Sequence, residues 1–214
     1  MKTAVIAGYS GLIGSQLLNL LLESDDYGKI VALGRRNLDI HHPKLIQHNI
    51  DFNNIDIEEQ DIDDVFCCLG TTMKKAGSKE KFRLVDFQYP VSLANYCLNK
   101  GAKQFSLVSS LGADAKSNIF YNKVKGEVEK AISNLGYHRL DIFRPSLLLG
   151  ARGESRFAED LGKAGVKLFG FLFAGPLKDY KAIESIKVAR AMAYFSKETG
   201  SGTTIHLSGK LQKY

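Results

Sequence analysis

The 214-residue sequence contains no tryptophan, four prolines and three cysteines. Three is an odd number and two of the cysteines, Cys67 and Cys68, are adjacent, so their spacing excludes the disulfide framework of a small secreted domain. A chain of this length buries roughly 70% of its unfolded surface and needs no disulfide or metal ion to fold. Hydrophobic residues at 44% and charged residues at 24% are typical of globular proteins and exclude a disordered or collagen-like chain.

Long apolar runs are also missing from the sequence. A membrane-spanning helix requires about 20 consecutive apolar residues, whereas the longest candidate, residues 168–175, has eight and follows Lys167. Polar residues such as Gln16 and Asn19 interrupt the segment near the N-terminus that would otherwise imitate a secretory signal. We therefore expect a cytoplasmic protein without a membrane span.

The charge is distributed unevenly along the chain. The formal net charge is +6 at pH 7, yet residues 51–64 hold seven of the 23 acidic residues and no basic one. The excess of positive charge over the remaining surface indicates an anionic partner, such as a phosphorylated cofactor, an acidic surface or nucleic acid. A solvated, lysine-rich surface without such a partner is the alternative interpretation.

Short apolar segments alternate with segments of helical spacing. The predicted strands are residues 3–7, 29–33, 45–50, 65–69, 104–108, 140–143 and 203–207, and the main predicted helices are residues 12–23, 78–100 and 118–135. Continuously apolar strands that alternate with helices are typical of a parallel sheet covered on both faces. We expect one doubly wound α/β Rossmann domain over residues 1–214, in which residues 145–200 contribute a small C-terminal cap on the substrate side. Ligands of such domains bind at the carboxyl ends of the strands.

A glycine-rich loop follows the first predicted strand and opens a helix in the pattern GxxGxxG. Glycines allow a tight turn and let the backbone approach a pyrophosphate, while the helix N-terminus supplies free N–H groups. An ordinary strand–helix turn is the alternative. We expect a dinucleotide to contact the loop and the start of its helix, at Gly8, Ser10, Gly11, Leu12, Ile13 and Gly14.

The end of the second predicted strand indicates which dinucleotide binds. NAD-binding folds commonly place an acid there for the ribose 2′-hydroxyl, but this chain has Arg35 and Arg36 and no acid before Asp39. Guanidinium groups make bidentate, charge-assisted contacts with a phosphate, although two solvated loop arginines would have the same sequence. The pattern favours NADP(H) over NAD(H).

The loops after the next two predicted strands offer further contacts to the cofactor. Asp51 is placed where an acid could accept a hydrogen bond from the adenine amino group, or it simply begins the acidic segment. The segment Leu69, Gly70 and Thr71 follows the fourth strand and would let the backbone pass close to the ribose and pyrophosphate. We expect these residues to complete the cofactor site.

Tyr121 and Lys125 are one helical turn apart on one helix face. A tyrosine has an ordinary pKa of about 10, and a neighbouring ammonium group lowers it enough for general acid/base chemistry near neutral pH. Ser109 and Ser110 end the preceding strand, and a serine hydroxyl at that place could polarise a substrate carbonyl. These residues are the candidate catalytic groups.

Tyr96 and Lys100 have the same spacing. They end a helix that runs into the fifth predicted strand, so we expect them at the edge of the sheet opposite the glycine-rich loop. This second pair is therefore predicted to have no catalytic role.

Together these motifs resemble an atypical short-chain dehydrogenase/reductase, and in particular the oxidoreductases of the HIV Tat-interacting-protein group. The resemblance rests on residues 8–14, 33–36, 65–72, 85–89, 109–114, 121–129, 143–149 and 154–156. It implies an NADPH-binding Rossmann domain in which Tyr121 transfers a proton, Lys125 contacts the ribose and lowers the tyrosine pKa, and a serine polarises the carbonyl, with Ser110 preferred and Ser109 beside the cofactor. It further implies that Leu147 and Leu148 contact the nicotinamide amide.

The leading functional hypothesis is an NADPH-dependent oxidoreductase that reduces a carbonyl on a small substrate. Arg144, Arg152 and Arg156 could bind an anionic substrate or pair with acids elsewhere. Residues 166–176, with three phenylalanines, are expected to form a packed cap or an oligomer contact such as a homodimer interface, and a membrane anchor is the alternative. The alternative hypothesis is an NADPH-binding regulatory or scaffold protein whose cofactor state controls a protein partner. Nucleic acid is not expected as a partner, because no platform of interleaved aromatic and basic residues is present.

No metal site is predicted. The histidines between positions 41 and 48 have no carboxylate or thiolate at ligand spacing, and Cys67 and Cys68 alternate faces of a strand. The acidic segment at 56–64 lacks the glycine and terminal glutamate of a calcium loop.

Overall fold

A computed structural model of the chain describes residues 1–149 and 179–214. The strands in these ranges are β1 (Lys2–Ala7), β2 (Tyr27–Gly34), β3 (Leu45–Asn49), β4 (Asp64–Cys67), β5 (Gln104–Val108), β6 (Arg139–Arg144), β7 (Leu148–Leu149), β8 (Ile183–Glu184) and β9 (Gly202–Leu207). The helices are α1 (Leu12–Glu23), α2 (Met73–Ala76), α3 (Lys79–Arg83), α4 (Tyr89–Asn99), α5 (Phe120–Ser133), α6 (Ser185–Phe195) and α7 (Ser208–Leu211), with a π-helical turn (Leu84–Gln88) between α3 and α4.

Seven of these strands form one parallel sheet in the order β3-β2-β1-β4-β5-β6-β9. The direction of winding reverses between β1 and β4, as in a doubly wound Rossmann sheet, and the crevice at the carboxyl ends of these two strands is where such sheets bind ligands. The short strands β7 and β8 pair with each other outside this sheet. The predicted fold class is therefore confirmed.

Helices cover both faces of the sheet. On one face α1 and α6 pack together and bury side chains such as Leu17 and Met192. On the other face α4 and α5 bury side chains such as Leu93 and Val128. The inner strands β1 and β4 are buried over most of their length, because helices cover both of their faces.

The predicted helix at 78–100 differs from the structure in its middle. It begins as α3, widens into the π-helical turn and continues as α4. Such turns are frequent at functional sites, and this one buries Asp86. The periodicity of the sequence predicts a helix here but does not reveal the extra residue in the turn.

About half of the predicted cap at 145–200 lies outside the described residues, which end at 149 and resume at 179. Of its described part, α6 packs beside α1 against the main sheet. None of the described helices is long and apolar enough to cross a membrane.

Candidate functional site

The glycine-rich loop makes a turn that has no room for side chains. Gly8 has a φ of +81°, and a Cβ atom there would lie 2.5 Å from the carbonyl carbon of Cys68 at the end of β4. A Cβ atom at Gly14 would lie 2.3 Å from the carbonyl oxygen of Gly8. The loop is thus closed against both α1 and the neighbouring strand, and its backbone is left accessible for a ligand.

Helix α1 begins directly at this turn. Its N-cap is Gly11, which offers no side chain to the N–H groups of the first turn. Ser10 and Gly11 are exposed, whereas Leu12 is half-buried and Ile13 is buried. Uncapped N–H groups at the positive end of a helix dipole bind anions. The turn therefore fits the pyrophosphate of a dinucleotide.

The end of β2 carries the two arginines. The strand ends at Gly34, and Arg35 and Arg36 are both exposed. Neither guanidinium group forms an ion pair with an acid in residues 1–149 or 179–214. Among the described residues both cations therefore lack an acidic partner, at the edge of the sheet that holds the glycine turn.

Asp51 bonds within its own turn. Its Oδ1 accepts hydrogen bonds from the backbone N–H of Asn53 at 3.0 Å and from the Asn53 side chain at 2.8 Å. The side chain is exposed, and a backbone bridge to Asn54 closes the turn. Contact with an adenine amino group remains a prediction, and the geometry supplies a local structural reason for the acid at this position.

Lys125 lies in a buried ion pair that the sequence analysis did not anticipate. Its Nζ is 2.7 Å from Oδ1 of Asp86, and both side chains are buried. The other carboxylate oxygen of Asp86 accepts a hydrogen bond from the backbone N–H of Thr71 at 2.9 Å. A Cβ atom at Gly70 would lie 3.8 Å from Nζ of Lys125. The π-helical turn therefore ties the loop after β4 to the lysine of α5.

The environment keeps Lys125 charged. Burial alone would lower the pKa of this lysine, but the negative charge of Asp86 and the interaction with Tyr121 more than offset it, so the pKa is raised. Tyr121 is half-buried one turn earlier on α5, with its ring 5.5 Å from that of Phe82. Tyr121 and Lys125 thus lie one turn apart on α5, and the carboxylate of Asp86 lies beside the lysine.

The two serines after β5 have different surroundings. Ser109 donates a hydrogen bond to Glu129, and Glu129 in turn forms a bidentate ion pair with Arg144 at 3.0 and 2.5 Å. The hydroxyl of Ser110 is buried and has no hydrogen-bond partner among the described residues. Ser109 is therefore held in a network with Glu129 and Arg144, whereas the Ser110 hydroxyl is left without a partner in the described parts of the chain.

A close packing contact joins the serine loop to α5. A Cβ atom at Gly126 would lie 2.0 Å from the backbone nitrogen of Ala115. The N–H of Asp114 donates to the carbonyl of Asn122 at 3.0 Å. The loop that follows Ser110 is thus pressed onto the first turns of the helix that carries Tyr121.

The remaining candidates lie after β6. The carbonyl of Leu147 accepts from the N–H of Ile183 at 2.9 Å, and Leu148 is half-buried in β7. Arg144 forms an ion pair with Glu129. This agrees with the second of the two interpretations of the arginines, in which they pair with acids of the chain instead of a substrate. Arg152, Arg156 and the segment 166–176 lie outside the described residues.

The pair Tyr96 and Lys100 stabilises another part of the fold. The hydroxyl of Tyr96 accepts from the N–H of Ile57 at 3.0 Å and donates to the carbonyl of the same residue at 3.1 Å. The Lys100 ammonium lies 5.5 Å from the centre of the Tyr96 ring. The backbone carbonyl of Lys100 accepts a hydrogen bond from the N–H of Ile62, two residues before β4. This pair holds the acidic segment at the amino ends of the strands.

No group of three metal-ligating side chains occurs in the described parts of the chain. His48 pairs with Glu59 at 2.9 Å, and His206 pairs with Asp141 at 2.7 Å. Both histidines therefore have local acidic partners.

The comparison with known families identifies the class of protein. Residues 4–128 match the model of the NAD dependent epimerase/dehydratase family, and the chain belongs to that family. Protein HTATIP2 of Rattus norvegicus is 38% identical over 215 residues, which cover 98% of this chain and 87% of the relative. Protein FMP52, mitochondrial, of Coccidioides immitis is 34% identical over 208 residues, which cover 89% and 84%. The resemblance to the HIV Tat-interacting-protein group is confirmed.

Solved structures with low sequence identity share the fold. A short chain dehydrogenase family protein from Francisella tularensis superposes with a TM-score of 0.73 at 13% identity, covering 98% of both chains. MoeE5 in complex with UDP-glucuronic acid and NAD has a TM-score of 0.70 at 15% identity, covering 95% of this chain and 75% of that one. The family and this fold together support a nicotinamide dinucleotide as the class of cofactor.

The prediction of a cytoplasmic location is wrong. Relatives from Coccidioides immitis, Meyerozyma guilliermondii and Candida albicans are named mitochondrial. Composition and the absence of a long apolar run bear on whether a chain can cross a membrane, but they contain no information about which compartment it occupies.

Proposed function

We propose that the chain is an NADPH-dependent oxidoreductase that reduces a carbonyl group on a small substrate. The observation that carries this proposal is the buried ion pair between Lys125 and Asp86, one helical turn from Tyr121. A buried lysine with a raised pKa is a permanent positive charge beside a phenol. Ser110 adds a buried hydroxyl without a partner among the described residues. Perturbed ionisable groups of this kind cluster at functional sites.

The proposed cofactor contacts follow the carboxyl edge of the sheet. The glycine turn and the uncapped start of α1 would hold the pyrophosphate, and the segment Leu69–Thr71 would pass beside it. Arg35 and Arg36 would bind the 2′-phosphate of NADPH, because NAD-binding folds carry an acid at the end of this strand, whereas β2 ends here in Gly34 followed by the two arginines. Leu147 and Leu148 would line the nicotinamide side.

Each catalytic side chain has a distinct task in the proposed reaction. The nicotinamide of NADPH, when bound, would supply the hydride that the carbonyl carbon of the substrate accepts. The Tyr121 hydroxyl gives its proton to the carbonyl oxygen, so that an alcohol forms and a tyrosinate remains. The Lys125 ammonium stabilises that tyrosinate, and the tyrosine regains its proton from solvent. Ser110 donates a hydrogen bond to the same oxygen as negative charge develops on it.

Asp86 acts on this chemistry through Lys125. Its carboxylate fixes Nζ at 2.7 Å and accepts from the N–H of Thr71, so the lysine is held in one position between the tyrosine and the loop after β4. Asp86 is a positioning residue in the proposal. Arg144 is paired with Glu129 and therefore has no role in the proposed binding of the substrate.

The adjacent serines provide a direct test. We would follow NADPH oxidation by the wild-type chain over a panel of small aldehydes and ketones, and repeat it with Ser110→Ala and Ser109→Ala. Loss of the Ser110 donor is expected to lower kcat about 10²-fold or more. Ser109→Ala is expected to keep most of the turnover and to unfold at a lower temperature, since it removes a bond to Glu129.

Two other outcomes would contradict the proposal. Equal turnover by Ser110→Ala and wild type would remove this serine from the mechanism. A wild-type chain that binds NADPH tightly but oxidises it with no member of the panel would favour the regulatory or scaffold function, in which cofactor binding controls a protein partner.

A further inference from the structure

Tyr9 occupies an unusual position for the second residue of a glycine-rich loop. The loop lies at the ligand edge, with Ser10 and Gly11 exposed, yet Tyr9 is only 1% exposed. Its ring lies against the end of β2. A Cβ atom at Gly34 would be 2.7 Å from the Tyr9 hydroxyl oxygen and 2.8 Å from its ring carbons. The tyrosine therefore fills the space that a side chain at position 34 would need.

The hydroxyl of Tyr9 makes a second contact with the same region. It donates a hydrogen bond to the backbone carbonyl of Arg36 at 2.6 Å. Burial raises the pKa of this phenol, and the positive charge of Arg36 only partly opposes the effect, so the hydroxyl remains a donor at neutral pH. One side chain thus links the turn after β1 to the turn after β2.

We propose that Tyr9 determines cofactor selectivity as a positioning residue, by excluding an acidic side chain from position 34 and by holding the turn that presents Arg35 and Arg36. This inference rests on the proposed NADPH function. In NAD-binding folds the acid at the end of this strand accepts from the ribose 2′-hydroxyl. With the tyrosine ring in place the strand must end in glycine, and the two arginines become the groups nearest to the 2′ position.

The ring and the hydroxyl have separable effects. Tyr9→Phe keeps the ring over Gly34 and releases the carbonyl of Arg36, so the arginine turn loses one anchor. Tyr9→Ala removes the ring and opens space at position 34. Tyr9→Phe therefore tests whether the hydroxyl holds the turn that carries the arginines. Tyr9→Ala tests whether the ring excludes an acidic side chain from position 34.

The first experiment measures dissociation constants for NADPH and NADH by fluorescence titration of wild type and Tyr9→Phe. The lost hydrogen bond is expected to weaken NADPH binding about 3- to 10-fold and to leave NADH binding within about twofold, because only NADPH carries the phosphate that the arginines bind. The matched control is Tyr137→Phe. That buried hydroxyl also donates to a backbone carbonyl, of Ala94, at 2.6 Å, and its loss is expected to leave the ratio of the two constants unchanged.

The second experiment combines Tyr9→Ala with Gly34→Asp and compares the double variant with each single one. In the double variant the aspartate has room to accept a hydrogen bond from the ribose 2′-hydroxyl, which is expected to improve NADH binding about tenfold and to abolish the preference for NADPH. Gly34→Asp alone is expected to unfold at a lower temperature and to gain no NADH affinity, because the new side chain meets the tyrosine. Non-additive binding of this kind is the signature of direct coupling between two residues.

The outcomes separate this inference from the function on which it rests. A wild-type chain without a preference for NADPH overturns the proposed function. A wild-type chain that prefers NADPH, together with an unchanged preference in Tyr9→Phe and additive effects in the double variant, overturns the role of Tyr9 alone.

Discussion

The two tyrosine–lysine pairs share one spacing and occupy opposite edges of the sheet. Tyr121 and Lys125 begin the helix that follows β5, and the lysine pairs with a buried carboxylate. Tyr96 and Lys100 end the helix that precedes β5, and the phenol is bonded to both backbone groups of Ile57. An identical motif thus supports proposed catalysis in one place and loop structure in the other. The two roles are distinguished by the edge of the sheet at which the tyrosine–lysine motif lies and by the third residue that contacts it.

Replacement of the two lysines is expected to separate the pairs most strongly. Lys125→Met leaves Asp86 buried without its counter-ion, which costs about 3–5 kcal/mol of unfolding free energy. Lys100→Met removes a cation over an aromatic ring, which costs about 0.5–1 kcal/mol. Urea unfolding of both variants measures the difference. Equal losses of unfolding free energy in the two variants would show that the buried ion pair stabilises the fold no more than the cation–π contact at Tyr96.

Replacement of Asp86 removes the carboxylate that distinguishes the pair of Tyr121 and Lys125 from the pair of Tyr96 and Lys100. Asp86→Asn is expected to lower kcat by up to about 10²-fold, because Lys125 is no longer held in one position. The carboxylate raises the pKa of Lys125, so its loss lowers that pKa and moves the alkaline limb of the activity profile to lower pH. The profile of kcat against pH checks both effects.

The matched control for this change is Asp64→Asn. Asp64 is also a buried aspartate with a lysine partner, Lys2 at 3.0 Å, but it lies at the amino ends of the strands. Its replacement is expected to leave the pH of the alkaline limb unchanged. A shift of that limb in Asp64→Asn, or none in Asp86→Asn, would contradict the positioning role.

The contact at Gly126 gives a smaller effect. Gly126→Ala places a methyl group against the backbone of Ala115 and is expected to cost about 1–3 kcal/mol of stability, with a loss of turnover as the serine loop moves. At Gly112 the nearest atoms belong to the side chain of Asn122, which can rotate away. Thermal unfolding of Gly126→Ala and Gly112→Ala compares them, and similar melting temperatures would argue against a rigid contact.

The smallest expected effect belongs to the structural pair. Tyr96→Phe removes the bonds to Ile57 and is expected to cost about 0.5–1.5 kcal/mol, with no change in cofactor affinity. Differential scanning calorimetry with and without NADPH measures both quantities. A loss of cofactor affinity in this variant would show that the two edges of the sheet are coupled.

The sheet and the glycine turn were predictable because their signals are local. Continuously apolar strands, helical periodicity and a run of glycines each lie within one short segment, and the order of strand and helix then places Tyr121 at the ligand edge. The same logic assigns Tyr96 to the other edge before any coordinates are known.

The partners of the site residues were not predictable for the opposite reason. Asp86 meets Lys125, and Tyr9 meets Arg36, only after the chain has folded. An acid on the buried face of a helix was the one available signal for Asp86. The different surroundings of Ser109 and Ser110 depend in the same way on Glu129, which lies on the next helix.

The most direct test of the central claim is the NADPH-dependent turnover of Tyr121→Phe beside that of Tyr96→Phe. Loss of the proton donor at the carboxyl edge is expected to lower kcat about 10²- to 10⁴-fold, with NADPH affinity retained, whereas Tyr96→Phe is expected to match the wild type. Equal turnover by the two variants would contradict the assignment of catalysis to the pair at Tyr121 and Lys125.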